Sequence, residues 1–112
     1  MIRRSFTAVI ARNEKWTGEV ATEPYECAWA GEAVVFVRAL GATGDPRGAR
    51  ARVQISPDGI HWVDEGTSVA MPAKVGQLTY CRVTHFGGYL RIVAKIPARA
   101  SIKVLVSLSL KE

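Results

Sequence analysis

Asp58 and His61 stand close together in the run Ser56-Pro57-Asp58-Gly59-Ile60-His61-Trp62, and a carboxylate beside an imidazole could serve acid–base catalysis or hold a metal. The same run reads more simply as a turn. Pro57 presets φ for the second turn position, Asp58 can accept from the backbone beyond it, and Gly59 takes the left-handed position that closes it. Ser56, Pro57, Asp58 and Gly59 are therefore expected to form a tight hairpin, with the carboxylate spent on the turn. His85 has no Ser, Cys or carboxylate at the spacing of a nucleophile triad or a helical metal site. Asp64 and Glu65 are adjacent, so on a strand they point to opposite faces and cannot oppose each other across a cleft. Cys27 and Cys81 lie far apart with no CxxC motif, which reads as two buried free thiols, a bridge across a sandwich being the alternative. No phosphate-binding glycine loop is present. The chain is not expected to be an enzyme, nor to carry a metal or other cofactor.

Two further groups could bind rather than react. The aromatic residues include Trp16 and Tyr25, a candidate surface for stacking on sugar rings, while Trp29 and Trp62 are expected in the core. Arg50, Arg52, Arg91, Lys95 and Lys103 all alternate with apolar neighbours, and together they form a candidate basic face for a partner. The competing reading of that face is a solvated surface whose charges discourage edge-to-edge association of strands.

The elements that position these residues are strands. Period-two alternation recurs along the chain, and no window of about ten residues carries helical apolar spacing. Ile102, Val104, Val106, Leu108 and Leu110 share one face of Ser101 to Leu110, and only Leu105 breaks the other. Ala49 to Ser56 directs Ala51, Val53 and Ile55 inward against Arg50, Arg52 and Gln54. Tyr89 to Ile96 does the same with Leu90, Ile92, Ala94 and Ile96. Ala33 to Leu40 holds Val34, Val35, Phe36 and Val37 in a row, as expected of a central strand covered on both faces. Gln77 to Phe86, Phe6 to Ala11, Trp16 to Thr22 and a short strand near Trp62 to Glu65 complete seven or eight. With no βαβ spacing, the expectation is one all-β domain over 1–112 without significant helix. Its form is an antiparallel two-sheet β-sandwich, jelly-roll or immunoglobulin-like. Met1 to Tyr25 supplies either its first strands or an extended arm for a neighbouring subunit.

Composition narrows the class further. The chain has 112 residues, 48% of them hydrophobic and 22% charged, enough apolar content for one packed core and far from the disordered regime. The longest uncharged apolar stretch, Ala33 to Val37, is much shorter than the ~20 residues of a membrane-crossing helix. The basic, interrupted N-terminus does not read as a signal peptide, so synthesis in the cytoplasm is expected. Fifteen Lys and Arg against ten Asp and Glu leave +5, most of the cations being Arg, the side chain favoured at protein interfaces. That favours protein over nucleic acid as partner.

Three stretches carry a family likeness: AVVFVRALGATG from Ala33, RARVQISPDGIHW from Arg50, and GGYLRIVAKIPARASIKVLVSLSL from Gly87. Their succession resembles small β-sandwich proteins encoded among the head and tail structural genes of tailed bacteriophages and prophages. The basic charge and the Pro97 to Arg99 segment depart from that pattern. The resemblance implies a structural component of a virion, located in the particle, that binds capsid or other virion proteins and forms a homo-oligomer. Capsid decoration or a minor head or tail role fits it, with a carbohydrate-binding β-sandwich module as the alternative.

Overall fold

The computed structural model describes residues 4–112, which form strands and the loops that join them. The strands are β1 (Ser5–Trp16), β2 (Glu19–Ala21), β3 (Tyr25–Glu26), β4 (Glu32–Thr43), β5 (Arg50–Ser56), β6 (Val63–Ala70), β7 (Leu78–Thr84), β8 (Tyr89–Lys95) and β9 (Ser101–Lys111). One sheet has the order β1-β9-β4-β7, and the other β2-β8-β5-β6 with β3 also paired to β8. Every pairing is antiparallel. Nine strands rather than seven or eight result because the edge beside β8 is broken in two. Pro24, which has no N–H to donate, falls in the break, and Thr22 bridges it by accepting from the Ile92 amide through Oγ1 at 2.9 Å. With β2 and β3 counted as one broken strand, this order is that of a jelly roll rather than an immunoglobulin domain.

Alternation builds the core. Ile102, Val104, Val106, Leu108 and Leu110 on β9 are each 0% exposed, and Leu90, Ile92, Val35, Val37 and Val53 meet them from both sheets. Each such side chain contributes about 1.5–3 kcal/mol by leaving water. Ile55, also directed inward, is only half-buried at the end of the sandwich.

Three sequence expectations need correction. β4 is central in its sheet but is covered on one face only: Ala33, Val35, Val37 and Ala39 are buried, whereas Val34 and Phe36 are half-buried and Arg38 and Leu40 exposed. The apolar run that suggested two-sided burial marks an uncovered apolar surface instead. β1 runs through to Trp16 and does not stop at Ala11, because irregularities at Ile10 and Asn13 (φ 56°) restore its register against β9. β5 and β6 do form a hairpin, with Gly59 at positive φ (77°), but the loop that closes it is longer than a tight turn, running from Pro57 to Trp62, and β6 is longer than expected because Gly66 (φ 111°) carries a bulge within it. Residues 4–26 supply β1, β2 and β3 of the sandwich itself; Met1 to Arg3 of the suggested arm lie outside the described residues.

Candidate functional site

In the Pro57 to Trp62 loop, Asp58 Oδ1 accepts from the amides of Ile60 (2.8 Å) and His61 (2.9 Å), while Oδ2 lies 2.7 Å from His61 Nδ1. These bonds, first the His61 amide and ring and then the Ile60 amide, hold the carboxyl well below the usual carboxylate range. Ser56, buried at the end of β5, accepts from the amides of Asp58 (3.2 Å) and Gly59 (2.8 Å) and donates to Asp58 Oδ1 (3.0 Å). The imidazole is therefore bound to the carboxylate rather than to the hydroxyl, and Ser56, Asp58 and Gly59 are tied into the loop. His85 is exposed between β7 and β8. Asp64 points to the outer surface of its sheet, whereas Glu65 turns to the other side, where its charge adds to burial in raising the Cys81 thiol. Cys27 and Cys81 are buried and share no disulfide, each pushed up to about 11 chiefly by that burial. Among the described residues no group of three His, Cys, Asp or Glu is placed to hold a metal.

The candidate basic face divides between the two sheets. Arg50, Arg52, Arg91 and Lys95 line the outer face of the β2-β8-β5-β6 sheet, but Lys103 stands on the outer face of the other. All three arginines in that group of four already have partners. Arg50 donates to Ser68 Oγ at 2.9 Å, and Arg52 approaches Asp64 at 3.5 Å. Arg91 donates to Gln54 Oε1 at 2.9 Å, and Gln54 in turn donates to Asp64 at 3.0 Å. Asp64 is lowered by Gln54 first and Arg52 second. Lys95 sits opposite Glu19 in the strand register. A shallow groove of about 360 Å³ runs along these residues between β2 and β5.

The aromatic pair also separates. Trp16 is 2% exposed, so it is a core residue and not a stacking surface, its ring turned inward by the two irregularities in β1. Tyr25 is half-buried beside a cleft of about 370 Å³ that it shares with Arg4, Phe6 and Trp29. The Arg4 guanidinium lies 4.7 Å from the Trp29 ring and is paired with Glu112 at 3.0 Å. Trp62 was expected in the core, yet it is half-buried on the sheet surface under the Arg91 guanidinium.

Sequence reasoning missed the outer face of the β1-β9-β4-β7 sheet. Strand register lays three rows across it. One runs Val9, Ser107, Phe36, Tyr80; the next Arg12, Leu105, Arg38, Leu78; the third Thr7, Ser109, Val34, Arg82. Phe36 and Tyr80 are in ring contact, centroids 6.2 Å apart, and Arg82 lies 5.3 Å from the Tyr80 ring. Leu78 and Tyr80 are 54% and 52% exposed. Leu105, which breaks the outer alternation of β9, was the signal that could have found this face. It was joined by the second apolar set of β4.

The fold and these surfaces define a jelly-roll β-sandwich with two broad sheet faces and an aromatic cleft at one end. No protein-family model matches the chain, and no curated protein matches it. Among solved structures, the SPBc2 prophage-derived protein YomS is similar, with TM-score 0.64 at 10% identity, the match covering 100% of this chain and 96% of that one. The PBSX exported protein XepA has TM-score 0.56 at 12% identity over 97% of this chain, which spans only 36% of XepA. At such identities the likeness is one of fold.

Proposed function

We propose that this chain is a non-enzymatic structural component of a phage or prophage particle. In this reading it attaches to a repeating protein surface as a capsid decoration or minor head or tail protein, as a homo-oligomer located in the virion. The observation that carries the reading is the likeness to prophage-derived YomS, which extends over nearly the whole of both chains. The three sequence stretches quoted above point to the same source. A repeating surface makes modest single contacts sufficient, since each further contact is made at high effective concentration.

Gradient sedimentation of a lysate from the native source, with peptide mass spectrometry of each fraction, tests this. Recovery of the chain with megadalton particles is the expected result. Recovery only at the mass of a monomer or small oligomer would sink it.

A second reading, glycan binding, is favoured by the cleft that Phe6, Tyr25 and Trp29 line, where the Arg4 guanidinium, paired with Glu112, lies over the Trp29 ring. It requires weak retention on a glycan array that Tyr25→Ala removes without unfolding the protein. Retention unaffected by that change, or none at all, eliminates it.

A further inference from the structure

We infer that the outer face of the β1-β9-β4-β7 sheet is the docking surface of this chain, and that its occupant is an acidic protein surface bearing apolar side chains. The inference rests on the reading above that the chain binds a protein.

Interface centres are enriched in aromatic residues and Arg and depleted of Asp and Glu. The three central rows of this face fit that description: Phe36 and Tyr80 lie among aliphatic side chains, Arg12, Arg38 and Arg82 are interleaved, and no carboxylate is present. The arginines are also unspent. Among the described residues Arg12 and Arg38 have no ion pair or hydrogen-bond partner, and Arg82 only stacks on Tyr80. On the opposite sheet Arg50, Arg52 and Arg91 are held by Ser68, Asp64 and Gln54. Those guanidinium groups already have acceptors, of which only Asp64 is charged, whereas free guanidinium groups are open to charge-assisted, bidentate bonds with carboxylates.

Size agrees. Four strands at about 4.8 Å spacing, over three rows about 6.8 Å apart, present roughly 390 Å² of aromatic, aliphatic and Arg centre, and the flanking rows with Lys15 and Lys103 at one end and Lys111 and Glu32 at the other extend the face to roughly 650 Å², near the ~800 Å² that each side of a standard interface buries. Two copies of this chain meeting face to face would set arginines against arginines, which costs binding energy. A phosphate backbone would satisfy the arginines but leave Leu78, Leu105, Val9 and Val34 without apolar partners. A protein with carboxylates around an apolar patch satisfies both sets.

The test adds the purified full-length chain to particles purified from the native source and measures the fraction that co-sediments. Arg38→Glu with Arg82→Glu should lower that fraction about tenfold or more. Arg50→Glu with Lys95→Glu, equal in charge change but on the opposite sheet, should leave it within about twofold. Tyr80→Ser, which alters no charge, should also weaken binding. A photo-cross-linking residue at Leu78 should join the chain to a particle protein within a peptide rich in Asp and Glu, and one at Gln54 should not.

Equal loss from both charge pairs, or loss only from the opposite sheet, overturns the assignment. Release of the wild type by nuclease makes the occupant a nucleic acid and overturns it. So does a drop in the mass of the isolated chain caused by Arg38→Glu with Arg82→Glu, which would make the occupant a second copy. If the wild type binds and all variants bind equally, only this face is lost and the particle reading stands. If the wild type fails to bind, both fall.

Discussion

The guanidinium of Arg91 lies 4.3 Å from the Trp62 ring while its Nε donates to Gln54 at 2.9 Å, so one side chain joins β8, β5 and the loop before β6. Trp62→Ala removes the ring from beneath that cation and should destabilise the fold by about 1–2 kcal/mol, combining the cation–π contact with lost apolar burial. Trp62→Phe keeps a ring face and should cost less than half as much. Urea unfolding of the two variants beside the wild type measures both.

Ser56 and Asp58 close the neighbouring loop in different ways. Ser56→Ala leaves the Asp58 and Gly59 amides without their buried acceptor and should cost about 1–2 kcal/mol at neutral pH. The Asp58 contribution depends on pH. Its folded pKa is lower than its ordinary one, so the stabilisation is complete above the ordinary carboxylate range and is lost as pH falls through the folded value. Asp58→Asn should therefore be less stable than wild type at pH 7, with a difference that narrows steadily in acid. A constant difference from pH 7 down to pH 2 would refute the loop's carboxylate bonding.

Both thiols should be silent in the native protein. Cys27 and Cys81 are buried and pushed up to about 11, so at pH 8 they are protonated as well as shielded. An aromatic disulfide reagent should titrate no thiol under native conditions and both after denaturation. Rapid reaction of either in the folded state would contradict its burial.

Gly44 and Gly18 make a controlled comparison, since both have positive φ but different surroundings. A Cβ at Gly44 would meet the carbonyl oxygen of Arg99 within van der Waals distance and Ala100 Cα at 2.9 Å, whereas one at Gly18 meets nothing within 4 Å. Gly18→Ala should cost about 1 kcal/mol from backbone strain alone. Gly44→Ala should cost about 2 kcal/mol or more, because β4's end and the Pro97 to Ala100 loop must also separate. Thermal unfolding of the pair, with equal losses, would show that the close approach is unimportant.

The alternation of β5, β8 and β9 was readable because each of those strands buries one face only, so that every second residue records its side. From this the sandwich followed. β1 was not readable past Ala11: Ile10 and Asn13 each insert an irregularity, and period two loses phase at every one. The same phase slip hid the burial of Trp16. On β4 the failure was different, because Val34 and Phe36 are as apolar as Val35 and Val37 and composition cannot distinguish a second core from an uncovered face. The basic group was sorted by alternation, which says that Arg50, Arg91 and Lys103 point outward but not from which sheet. Only strand order separates Lys103 from the rest. The aromatic cleft was out of reach for a similar reason, since Phe6, Tyr25 and Trp29 meet only through the pairing of β1 with β9 and β3 with β8.

The β1–β9 ladder has a mechanical corollary. Ser5 faces Lys111 at one end and Trp16 faces Ile102 at the other, and Arg4 grips Glu112 beside the first rung. A load drawn through residues 4 and 112 falls on that rung alone, then on the next, so the edge strand peels away one pair at a time under low force. A load drawn between residue 4 and the Pro97 to Ala100 loop runs along both strands in opposite senses and stretches the whole ladder at once. The sandwich is thus a zipper to a pull on its own ends and a lap joint to a pull on the far loop.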